Sequence, residues 1–169
     1  MKSVLKEILK GKIVIVGVGN LLRGDDGFGP ALIEKLKKNF EEGGDRQFKS
    51  IPILIDAGNA PENYTGKIVR EKPDTILIID AIHLGRKTGE YEVLSKSAIA
   101  ETGLSTHNIS LNMFIEFLEN ETKANIYILG VQPENVNFGQ EMSENVKKAV
   151  EELSRLIFLQ FKMDKQTAI

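Results

Sequence analysis

Apolar positions along the chain fall into two alternating kinds of run. Lys12 to Val18 (KIVIVGV) is an almost unbroken β-branched block ending at Gly19, which predicts a strand buried on both faces and central in its sheet. Beyond a polar loop, Phe28, Leu32, Leu36 and Phe40 recur every four residues with Ile33 beside them. Pro30 suits a first turn, so an amphipathic helix is predicted, ending near Gly43-Gly44. Two short apolar runs, Ile51–Ile55 and Thr75–Ile79, stop at Asp56 and Asp80, and Glu90–Leu94 reads as a weaker edge strand. Leu111, Phe114, Ile115 and Leu118 give Asn108–Glu119 helical spacing. Asn125–Val131 reads as a strand, and Ser143 opens a helix that turns Val146, Val150, Leu153 and Ile157 inward. This alternation predicts an α/β fold: a single three-layer domain over residues 1–169, with a mostly parallel, twisted five-stranded sheet and helices on both faces. Residues 1–11 are expected to be an N-terminal extension and 162–169 a frayed tail. No linker or repeat interrupts the pattern. The tripeptide Pro-Glu-Asn at Pro61 and Pro133 is read as a coincidence of turn formers.

Composition narrows the function classes. The 22 Lys and Arg balance 24 Asp and Glu to a formal charge of −2, and no basic cluster exceeds two residues, so neither nucleic acid nor an anionic membrane is an expected partner. With no Cys, thiol proteases, thiolate zinc sites and redox pairs are removed together. Met1–Lys10 alternates charges with Val4, Leu5, Ile8 and Leu9, unlike the apolar stretch of a signal peptide, so a cytoplasmic protein is expected. No long exposed-looking apolar edge is evident, which favours a monomer.

In open parallel sheets, ligands bind beyond the carboxyl ends of the strands. Four polar segments converge there: Gly19–Gly27, Asp56–Asn59, Asp80–His83 and Ser105–Asn108. Each has a plain structural reading. One acid of Asp25-Asp26 can cap the helix that follows and leave the other available. Asp56 or Asp80 alone could form an Asx turn, and His83 alone is an ordinary loop histidine. Only the constellation argues for chemistry. The two histidines lie 24 apart (107 − 83), which removes the helical zinc-protease motif, and no G-x-S-x-G elbow exists. Gly17 and Gly19 supply two glycines of a dinucleotide fingerprint, but Leu22 stands where the third belongs. A Rossmann-like nucleotide-binding protein is thus the alternative reading, opposed by the charge of Asp25-Asp26 and the lack of a Walker-type Lys.

Several separated motifs together resemble the nickel-iron hydrogenase maturation endopeptidases: GVGNLLRGDDGFGP (Gly17–Pro30), DAGNAPEN (Asp56–Asn63), IIDAI (Ile78–Ile82), THN (Thr106–Asn108) and LGVQPE (Leu129–Glu134). Pro-Glu-Asn after the second strand and Thr-His-Asn resemble the formate hydrogenlyase branch. The likeness spans about Lys12 to Ile157. It implies an aspartate- and histidine-dependent endopeptidase that removes a C-terminal extension from a hydrogenase large-subunit precursor once nickel is in place. It also implies that Asp26, Asp80 and His107 contact the metal, with Asp25 left as a cap. Asp56 matches the acid of an Asp-Gly-Gly-type motif, although Ala57 replaces the first Gly. The implied cofactor is nickel supplied by the substrate, with zinc or cadmium expected to occupy the same place in vitro.

The chemistry of these residues agrees. Two carboxylates and an imidazole suit divalent ions such as zinc or nickel, and three ligands leave positions open for substrate. His107 near a helix N-terminus is biased toward the neutral, ligating form. Asp26 and Asp80 held close would repel by a few kcal/mol without a cation between them. A third reading, a catalytically silent chaperone of the precursor, predicts association without a mass change in the partner.

Overall fold

A computed structural model describes residues 1–43, 48–95 and 108–162. Among these, five strands form one sheet in the order β2-β1-β3-β5-β4. The strands are β1 (Ile13–Val18), β2 (Ile53–Gly58), β3 (Thr75–Ala81), β4 (Tyr91–Ser95) and β5 (Asn125–Val131). Only β4 runs antiparallel, along β5 at the edge, as its weaker pattern suggested. The expectation that Lys12–Val18 is central needs correcting. β1 pairs with β2 and β3, and the middle position belongs to β3. Both strands are buried throughout, so composition could not rank them; strand order is set by the crossovers.

Alternation along the strands divides the core in two. Ile13 and Ile15 of β1, Leu77 and Ile79 of β3, and Leu129 and Val131 of β5 face one side, which is covered by α1 (Lys2–Ile8), α2 (Phe28–Gly43) and α5 (Glu144–Phe161). Val14, Val16, Ile76, Ile78 and Ile128 face the other side, covered by α3 (Thr65–Glu71) and α4 (Asn108–Glu121). This is the three-layer sandwich that the periodicity predicts. Ser143 caps α5 by accepting a bond from the Val146 N–H.

Three elements carry no long periodic stripe and were not foreseen. The segment 2–8 is helical and drives Leu5 and Ile8 into the core. The hydroxyl of Thr75 donates to the carbonyls of Ile8 and Lys10 and ties this helix to the start of β3. Pro61–Tyr64 forms a 3₁₀ turn leading into α3, where Ile68 is the one buried residue. Residues 163–169, most of the expected frayed tail, lie outside the described residues. No helix among the described residues is long and apolar enough to cross a membrane.

Candidate active site

The site begins with how closely the chain packs at the carboxyl ends of β1 and β3. A Cβ on Gly29, in the first turn of α2, would collide with the Val18 carbonyl and stand 2.6 Å from the Ile79 carbonyl oxygen. Glycine there lets the helix start rest directly on the ends of two strands. Gly19, at φ +132, leaves β1 in a conformation that other residues rarely adopt and lies against the Asp26 carbonyl. The chain then returns over the sheet as a 3₁₀ turn, Gly24–Gly27, in which Asp25 and Asp26 are both buried.

Asp26 is held from within this loop. The Asn20 N–H donates to both its backbone carbonyl and its Oδ2, each at 3.1 Å, while the Asp26 N–H donates to the Arg23 carbonyl. Asp80, near the end of β3, follows Ile76 and Ile78 in facing the α3–α4 side and is fully buried; its Oδ1 accepts from the Ala81 N–H at 2.8 Å. Burial pushes the Asp80 carboxyl well above the usual carboxylate range, and the nearby negative charge of Asp26 adds to this. The two acids singled out in the sequence therefore share one poorly solvated place.

Asp25 differs from its expected role as a cap of the helix it opens. Its Oδ1 accepts from the Ser143 N–H at 2.7 Å, and its Oδ2 accepts from the N–H groups of Glu134 (2.7 Å) and Asn135 (3.4 Å). It thus serves the loop between β5 and α5. Sequence reasoning did not find this, because backbone donors more than a hundred residues away leave no side-chain signature. The second Pro-Glu-Asn supplies two of these donors, whereas the first forms the 3₁₀ turn before α3, so the repeated tripeptide does different work in each place.

Gln132 is another buried polar group that the reading did not assign. Its Oε1 accepts from the N–H groups of Leu84 and Arg86, and its Nε2 donates to the Pro133 carbonyl, which ties the β3–β4 loop to the end of β5. A glutamine directly after an apolar strand was the available signal. Asp56 is exposed and shares its side of the sheet with Leu54, across from Asp80. Its Oδ1 accepts from the Gly58 N–H and closes an Asx turn, so the structure does not bring it to the pair. His83 is exposed. His107 lies outside the described residues, directly before α4; among the described residues no group of three or more His, Asp or Glu side chains is placed to hold a metal ion.

Two buried carboxylates brought together are a donor set that a divalent ion fits, and such an ion would relieve their repulsion. The same charges oppose a dinucleotide pyrophosphate in this loop.

Comparison with known proteins bears on the family and the fold. Residues 30–160 match the family model described as hydrogenase maturation protease. The hydrogenase 3 maturation protease of Escherichia coli K12 is 37% identical over 143 residues, covering 82% of this chain and 83% of that protein. The crystal structure of a nickel-iron hydrogenase maturation protease from Thermococcus kodakarensis superposes with a TM-score of 0.80 at 33% identity, covering 93% of this chain and 97% of that one. A crystal structure of a hydrogenase 3 maturation protease gives a TM-score of 0.69 at 34% identity, covering 85% of this chain and 87% of that one.

Proposed function

Because the chain belongs to the hydrogenase maturation protease family, we propose that it is an endopeptidase acting on a hydrogenase large-subunit precursor. It removes the precursor's C-terminal extension and uses nickel already bound in that precursor as the recognition element. The observation that carries this reading is the pairing of Asp26 with the buried Asp80 at the carboxyl end of the sheet.

In this reading Asp26 and Asp80 present carboxylate oxygens to the substrate's nickel, and His107 contributes an imidazole. Held by these residues, the nickel would supply Lewis acidity to the scissile carbonyl or to a bound water. Until substrate arrives, burial and the charge of Asp26 favour a proton on Asp80. Displacement of that proton links recognition of the metal to the charge state of the site. Asp56 shapes the loop after β2. The precursor meets a rim on which Leu21, Leu22 and Phe138 are exposed by 55%, 62% and 74%. The Gly139 N–H donates to the Leu22 carbonyl at 2.8 Å, so Phe138 and the two leucines stand on joined loops.

Mass spectrometry of a large-subunit precursor tests the proposal. A nickel-loaded precursor should lose its C-terminal extension when this protein is added, and a nickel-free precursor should not. Equal cleavage of both forms would remove nickel as the recognition element. Binding without any mass change would favour the chaperone reading. Nickel, zinc or cadmium should raise the melting temperature, and nucleotides should not.

A further inference from the structure

We propose that Asp25 is a positioning residue: its carboxylate clamps the β5–α5 loop to the turn that carries Asp26, and so holds Asp26 against Asp80. This rests on the reading above only in assigning a divalent ion to the Asp26–Asp80 pair.

Asp25 is completely buried, and both its oxygens are engaged by main-chain donors from one distant loop, Glu134 and Asn135 on Oδ2 and Ser143 on Oδ1. Further bonds run beside the clamp. The Asp25 N–H donates to the Asn135 carbonyl and the Gly24 N–H to the Gln140 carbonyl, both at 3.0 Å, and Arg23 Nε donates to the Val136 carbonyl at 3.1 Å. The two loops meet so closely that a Cβ on Gly24, already at φ +56, would stand 2.8 Å from the Asn135 carbonyl oxygen.

Such a clamp answers a physical need. A buried carboxylate gains by reaching water, and the turn bearing Asp26 could swing outward to do so. The loop that leads into that turn has little apolar anchorage, since Leu21 and Leu22 both face solvent, although Phe28 just after the turn is buried. Main-chain bonds to both oxygens of the neighbouring residue, two of them at 2.7 Å and a third at 3.4 Å, oppose the swing. Asp25 therefore keeps the pair assembled before any ion arrives.

The test compares the wild type with Asp25→Asn, an isostere that places an NH₂ against one of these donors, and with Ile157→Val as a mildly destabilised control far from the loops. Cadmium binding is measured by calorimetry, and backbone exchange by NMR on the metal-free protein. Asp25→Asn should weaken cadmium binding by about 10- to 100-fold, the usual cost of losing an outer-shell partner. Its Glu134 and Ser143 amides should exchange at least about tenfold faster. Ile157→Val should keep wild-type cadmium affinity, which separates positioning from general loss of stability. Wild-type cadmium affinity in Asp25→Asn, or unchanged protection of both amides, would overturn the proposal. Should Asp25→Asn fail to fold, the wild type decides. The Asn20 amide, bonded to Asp26, should open in one cooperative unit with Glu134 and Ser143, and independent opening would overturn the clamp. If the wild type binds no cadmium, the assignment of an ion to the acid pair fails, while amide exchange still judges the clamp.

Discussion

The two ends of α2 are built on opposite principles. Its C-terminal end is packed with rings. Phe40 makes edge-to-face contacts with Phe48, Phe158 and Phe161 at centroid separations of 5.1, 5.2 and 5.7 Å. At its N-terminal end, the turn that leads into it buries Asp25 against the β5–α5 loop and Asp26 beside Asp80. Ring packing stabilises in proportion to the surface removed from water and depends on volume rather than on pH. Buried carboxylates oppose folding unless hydrogen bonds or a cation compensate them, so that end depends on solution conditions. One end supplies stability, and the other uses part of it to keep an acid pair in place.

Changes at each end should therefore separate activity from stability. The largest effect is expected for Asp26→Asn. Precursor processing, followed by mass spectrometry, should fall by more than the roughly 100-fold typical of an outer-shell loss, while the melting temperature holds or rises. Phe40→Ala should do the reverse. Unfolding by urea should show a loss of about 3–5 kcal/mol, with processing per folded molecule unchanged at a temperature where the variant is folded. Asp80→Asn sharpens the contrast further. The Asp80 carboxyl is raised in the folded state, so the folded chain keeps a proton that the unfolded chain releases. Its contribution to stability is full below the ordinary carboxylate range and is lost as pH rises through the raised value. The amide cannot ionise, so at neutral pH and without metal this variant should melt higher, by about 2–4 °C for each kcal/mol of relieved burial cost and repulsion. Its advantage over the wild type should vanish in acid, and its processing of the precursor should fall, though by less than in Asp26→Asn. The smallest effect is expected at the exposed rim. Phe138→Ser should leave stability within about 0.5 kcal/mol and raise the KM for the precursor a few-fold with little change in kcat.

The aromatic end was legible in the sequence to the extent that Phe40 closes a four-residue stripe. Strand β5 and the capping by Ser143 were read at their observed positions. Asp26 and Asp80 were legible as candidates because they fall in the polar segment after β1 and at the end of the apolar run of β3, and the family resemblance singled them out. What stayed hidden depends on the chain meeting itself at long range. The middle place of β3 is a matter of strand order. The clamp on Asp25 uses main-chain donors that any residue but proline could supply. Helix α3 escaped because a single buried residue, Ile68, makes no stripe.

Nothing but main chain separates the first turn of α2 from the ends of β1 and β3 at Gly29. The approach of that helix start to the strands is accordingly a property of the backbone, which resizing an apolar side chain nearby cannot retune, and the Asp25 clamp acts on top of it. Divergence toward a new client is left to the outward-facing loops, where residues can be exchanged without disturbing the gap that the backbone sets.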